Sequence, residues 1–265
     1  MPRLLALLSC ALFLAAPLSA EDCPNCEPAK VCVSHEAGDD IAVKTAQIQL
    51  KTKDMMGKRE AVQGLAEAQA KHMNCRSRKI SIEFAKALAD PDVDVKLMAA
   101  EKIATMGEPT IAVQALSQQV AQYRKLIGNT KPKKPAEQAA WDNNVKMLGL
   151  MYDSLATVPD PGAVKPFLED LGSSSPFLAK AAADATPALK GKKEIIRALY
   201  DGMKKWLGPS QQPARPEGTV EAFFGMSMAM AKVVDNPPTN LDGKNQAQAM
   251  GIWDGWWEKN GEKGK

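Results

Sequence analysis

The residues best suited to chemistry are cysteines and histidines gathered near the start of the chain. The sequence holds five cysteines and two histidines, and apart from Cys10 they fall into three short spacings: Cys23-x-x-Cys26, Cys32-x-x-His35 and His72-x-x-Cys75. Thiolates and imidazoles are soft ligands, so Cys23, Cys26, Cys32 and His35 form a set that a compact loop can wrap around tetrahedral zinc, although its two halves are only five residues apart. Cys23, Cys26, Cys32 and Cys75 are equally candidates for disulfides, with three connectivities open. A third use is thiol redox chemistry at Cys23-Pro24-Asn25-Cys26, which has the spacing of an oxidoreductase but not the surrounding β-α-β pattern that would set its first thiol at a helix N-terminus. Glu27, not histidine, follows Cys26, which excludes the haem-attachment motif.

Compartment bears on that choice. Met1 to Arg3 is a short basic start, Leu4 to Ala16 is apolar, and Leu18-Ser19-Ala20 precedes the acidic Glu21-Asp22, so residues 1–20 read as a cleavable export signal. Leu7-Leu8-Ser9-Cys10 resembles a lipoprotein box only superficially, because it lies inside the apolar run. The expectation is a periplasmic or secreted protein, and an oxidising compartment favours disulfides over bound metal. No later segment has the run of apolar residues a membrane span needs, so no integral membrane segment is expected in the mature chain.

Packing competes with the remaining arrangements. Met226, Met228, Met230 and Met250 are soft ligands for copper(I), but alternate residues on a helix do not face one another, and Phe223, Phe224 and Ala229 mark the segment as core. Asp39-Asp40 reads as a solvated loop and Asp92 with Asp94 as a helix cap. There is no Gly-x-Ser-x-Gly elbow, glycine-rich phosphate loop or His-Glu-x-x-His, so no catalytic residues and no cofactor-binding residues are assigned; distant acid pairs leave no local mark. Removing residues 1–20 takes the formal charge from +3 to +2, because Arg3 is the only charge lost. Acids and bases are interspersed, which argues against nucleic acid as partner, and Lys131-Pro132-Lys133-Lys134-Pro135 reads as an exposed loop.

Helices must position whatever site exists. Asp90-Pro91 predicts a helix beginning at Pro91, with Val95, Ala99, Ala100, Ile103 and Met106 on one face, a stop at Gly107, and a restart at Glu108-Pro109 leading into Ile111, Leu116 and Val120. The same grammar returns at Ser175-Pro176, with Leu178, Ala181, Ala182 and Ala185, a stop at Gly191, then Ile195, Leu199 and Met203; Ala115-Leu116 aligns with Ala198-Leu199. A long helix is predicted over 138–158, another over 162–171, a proline-rich linker over 207–218, a helix over 219–234 and a last one over 244–260. Nothing has the alternating period of strands.

The pattern Asp92, Val95, Lys96, Ala99, Ala100, Ile103 and Gly107 resembles the HEAT-like family of alpha-helical repeats, with Lys96 where that family more often has arginine. The resemblance spans residues 58–235 and implies an all-α fold, a right-handed alpha-alpha superhelix that acts as a protein-binding or scaffold module. The expected organisation is a signal at 1–20, a Cys-rich segment leading into the first helix at 21–57, the repeat array at 58–235 and a Trp-rich capping helix at 236–265. Trp253, Trp256 and Trp257 would cover the open end of the array, or else offer a stacking platform for a sugar or aromatic ligand. The expected partner is another protein or envelope component, with no cofactor. The alternative is a zinc-binding or thiol-redox envelope protein that uses Cys23, Cys26, Cys32 and His35.

Overall fold

The structure, a computed structural model, describes residues 30–31, 36–72 and 75–261. It is all-helical apart from one minimal strand pair. Strand β1 (Lys30–Val31) lies parallel to β2 (Cys75–Arg76), with Lys30 opposite Cys75. Between them come α1 (Glu36–Gln49) and α2 (Met55–Ala70), the latter capped by Asp54, whose side chain accepts from Met56 N at 3.0 Å. Ser77 caps α3 (Arg78–Ala87).

Next is the helix pair that punctuation in the sequence makes most legible. α4 (Val93–Met106) ends at Gly107, and α5 (Pro109–Ile127) restarts with Pro109 in its first turn. A proline there loses no hydrogen bond, since first-turn N–H groups lack intrahelical partners. The start of α4 differs from expectation by two residues. Asp92, not Asp90, is the N-cap, accepting from Val95 N at 2.8 Å. Asp90 is held elsewhere: one oxygen accepts from Asp92 N at 2.9 Å and the other pairs with buried Lys58 at 2.7 Å. Asp92→Ala is therefore expected to cost about 1 kcal/mol, read as a lower urea midpoint at unchanged slope.

α6 (Pro135–Ala156) follows the lysine–proline loop, then a 3-10 turn (Pro161–Val164), α7 (Lys165–Leu171) and α8 (Pro176–Ala185). A second 3-10 turn (Thr186–Leu189) leads to α9 (Lys193–Gln211), and α10 (Thr219–Val233) and α11 (Gln246–Asn260) complete the described residues. The expected linker over 207–218 begins later, because α9 continues through Pro209 to Gln211. Pro209 falls in the last turn, where the missing N–H removes a single ladder bond, and Ser210 Oγ ties the turn down by donating to Leu207 O at 2.8 Å. Asn245 and Gln248 cap each other's backbone at the start of α11.

Packing is mostly between elements close in sequence: α1 with α2 and α3, α2 with α4, α5 with α6, α6 with α8, α8 with α10, and α9 with α10 and α11. One core runs from Ala46 to Trp253. Alanines at the contacts, Ala99, Ala100, Ala179, Ala182 and Ala183 among them, are almost fully buried, which lets helix axes approach closely while Leu, Ile and Met fill the spaces between. Met226 and Met230 belong to this core and Met228 is exposed, the division that alternate helical positions impose.

A buried polar network joins α5, α6 and α7. Arg124 Nε lies 2.7 Å from Asp170 Oδ1, and its other nitrogens donate to Glu169 Oε2 at 2.7 Å and Pro166 O at 2.8 Å. The Tyr152 hydroxyl donates to the second oxygen of Asp170. Burial pushes the Asp170 carboxyl up, against the opposing bonds from Arg124 and Tyr152, and burial together with the Asp170 charge pushes the Tyr152 hydroxyl well above its ordinary range.

Candidate functional site

Of the cysteines and histidines singled out in the sequence, Cys23, Cys26, Cys32 and His35 lie outside the described residues. Cys75 is described: it is 1% exposed and disulfide-bonded. Hydrogen bonds hold the backbone at Cys75 and just after it. Gln69 Nε2 donates to Cys75 O at 2.9 Å, and Ser77 N donates back to Gln69 Oε1 at 2.8 Å. One buried carboxylate, Asp39 on α1, then gathers two side chains: its Oδ1 lies 2.7 Å from His72 Nε2, and its Oδ2 accepts from Ser77 Oγ.

Serine, histidine and aspartate together invite comparison with a nucleophilic triad, and the order of the bonds decides against it. In such a triad the imidazole stands between nucleophile and acid, so that it can take the hydroxyl proton. Here the acid stands between the other two. Ser77 Oγ also caps α3, accepting from Ile80 N. The trio therefore acts as a clasp that fastens α1 to the segment between α2 and α3. Asp39 corrects the reading of Asp39-Asp40 as a solvated loop, since Asp39 is 2% exposed and lies in the first turns of a helix. Its partners are 33 and 38 residues away, and no local pattern announces that pairing.

A second candidate is a cleft of about 460 Å³ between α6, α8 and the start of α10, a size within the roughly 300–1,000 Å³ usual for ligand sites. Its floor is an edge-to-face aromatic pair, Trp141 of α6 and Phe177 of α8, with centroids 4.8 Å apart and planes at 85°. Both rings are fixed. Trp141 Nε1 donates to Ile127 O at 2.9 Å. Phe177 lies against Gly218, the left-handed N-cap of α10 (φ 85°), where an added Cβ would stand 2.7 Å from the ring. Glycine is thus required there for conformation and for space.

Charge rings this floor unevenly. Lys131 sits 5.4 Å from the centroid of Trp141 and pairs with Asp142 at 3.4 Å, while Lys180 pairs with Asp184 four residues on. Three exposed side chains of the rim, Lys146 on α6 and Glu217 and Glu221 at the start of α10, have no ion-pair partner among the described residues.

The tryptophans of α11 are held by packing. Trp253 is fully buried and donates to Ser227 Oγ at 2.8 Å, and Trp256 Nε1 donates to Asn236 O at 3.0 Å. Trp257 stacks on Tyr200 at 4.2 Å with planes 4° apart, and the Gly261 backbone closes on the same indole, where an added Cβ would come within 2.5 Å. Tyr200 donates to Asp254 Oδ1 at 2.7 Å, binding α9 to α11.

Among the described residues no group of three or more His, Cys, Asp or Glu side chains is arranged to hold a metal, and no helix is long and apolar enough to cross a membrane. Comparison with known protein families, with curated proteins and with solved structures finds no match to this chain.

Proposed function

We propose that this chain is an exported, HEAT-like helical-repeat protein that works as a protein-binding or scaffold module. The observation that carries the reading is the cleft between α6, α8 and α10: rigid helices present a fixed aromatic floor and a charged rim at the surface. Aromatic rings already immobilised in the free protein lose little entropy on binding, which is why such anchors recur at protein interfaces. The right-handed superhelix belongs to the same proposal; packing mostly between sequence neighbours is what supports it.

The alternative, zinc or thiol chemistry at Cys23, Cys26, Cys32 and His35, meets a count of thiols. Every cysteine other than Cys75 precedes α1. If the partner of Cys75 is Cys23, Cys26 or Cys32, the four-ligand set loses a member, so we favour disulfides for this segment. Intact mass before and after reduction, with metal analysis, tests that choice.

Capture from the native envelope or medium with the immobilised mature chain tests the principal reading. A stoichiometric protein partner is expected. Recovery of none would sink it.

A further inference from the structure

We infer that the cleft between α6, α8 and α10 takes a peptide segment with an apolar side chain flanked by basic residues, the apolar group resting on Trp141 and Phe177 and the basic groups facing Glu217 and Glu221. This rests on the protein-binding reading and names the chemistry of the partner.

The assignment follows from which charges are already satisfied. Lys131 is committed to Asp142 and the Trp141 ring, and Lys180 to Asp184. That leaves two carboxylates and one ammonium on the rim without partners, and both carboxylates stand on the α10 wall, four residues apart on either side of the Gly218 cap. The positive end of the helix dipole accounts for an acid in the first turn, where Glu221 lies. It does not account for Glu217, which precedes the cap. Both carboxylates line the one cleft, so an incoming cation gains from each. Lys146, on the opposite α6 wall, disfavours a uniformly cationic ligand and suits one whose far side is neutral or acidic.

The floor selects for the apolar part. Trp141 and Phe177 are pinned by Ile127 O and by the Gly218 backbone, so the floor offers methylene groups a rigid apolar contact, and the ammonium of Lys131 over Trp141 directs an incoming cation away from the floor, toward the α10 wall. A lysine or arginine next to a leucine presents this pairing of long alkyl stem, charged head and branched apolar side chain.

The test uses the mature chain and three blocked peptides, acetyl-Leu-Lys-Lys-amide, acetyl-Leu-Gln-Gln-amide and acetyl-Leu-Glu-Glu-amide, followed by amide chemical shifts. The basic peptide is expected to bind at least about tenfold more tightly than the neutral one at low salt, with shifts centred on Gly149, Ala181 and Gly218, and to weaken as salt is raised. The Glu217→Gln/Glu221→Gln pair, both exposed side chains, should abolish the preference while lowering the unfolding midpoint by no more than about 4 °C, the loss of one charge at the α10 N-terminus. The Glu217→Lys/Glu221→Lys pair should transfer it to the acidic peptide. Equal binding of all three peptides, shifts centred elsewhere, or n-butylammonium binding as well as the peptide would each overturn the assignment. Native partner capture by the Lys pair separates the two levels. A partner retained equally by wild type and variant removes the cleft assignment and leaves the binding reading standing, whereas no partner for either removes the binding reading itself.

Discussion

Replacing Asp170 by alanine is expected to lower the unfolding free energy by about 3 kcal/mol, a fall of roughly 6–12 °C in midpoint for a domain of this size. The carboxylate is 3% exposed, pairs with the charge of Arg124 and accepts from Tyr152. Its removal leaves a partly buried guanidinium with only Glu169 and Pro166 O, leaves the tyrosine hydroxyl only Pro166 O at 3.2 Å, an acceptor it shares with Arg124, and opens a void where α5, α6 and α7 meet. Asp170→Asn should be milder, about 1 kcal/mol, because an amide oxygen still accepts from Tyr152 and because burial already disfavours the ionised form of Asp170. Alkaline pH gives an independent readout. The Tyr152 hydroxyl is raised well above its ordinary value in the folded protein, so its stabilising contribution is complete below about pH 10 and is lost as pH rises through the folded value. Tyr152→Phe should flatten that alkaline decline in urea titrations. A decline just as steep in the variant would show that other groups cause it.

The second large effect is expected at Cys75. In the chain-entropy description, a disulfide from Cys75 to any other cysteine of this chain closes a loop of about 45–65 residues and stabilises by about 4 kcal/mol, nearly independent of which partner is used because loop length enters as a logarithm. Cys75→Ser should therefore lower the unfolding free energy by about 4 kcal/mol, and a reductant should lower wild type to the level of the variant. Because the site is buried, serine adds the cost of burying a hydroxyl, and agreement between Cys75→Ser and Cys75→Ala isolates the bond. A variant as stable as oxidised wild type would mean that the clasp of Asp39, His72 and Ser77 holds the segment unaided.

Helix boundaries were legible wherever backbone chemistry is local. Pro109 after Glu108 and Pro176 after Ser175 act within one turn, and the burial of Val95, Ala99, Ile103, Leu178, Ala182, Ile195 and Leu199 follows from helical spacing alone. Asp90 shows where this stops. Sequence makes it a cap like any other, but Lys58, 32 residues away, claims it, and the helix starts at the next aspartate that is available. The sites were less legible for the same reason. Trp141 and Phe177, Arg124 and Asp170, and Asp39 and His72 each meet across dozens of residues, and the preference of each side chain for its own helix face says nothing of which face will oppose it.

The connection at Lys51–Lys53 between α1 and α2 is exposed and carries two lysines, and every cysteine able to bridge Cys75 within this chain lies upstream of it. A disulfide from Cys75 to any of them would enclose the first two helices in a ring of main chain and sulfur. A protease that cuts at that connection under oxidising conditions opens the ring without dividing the molecule: both pieces travel together until the disulfide is reduced.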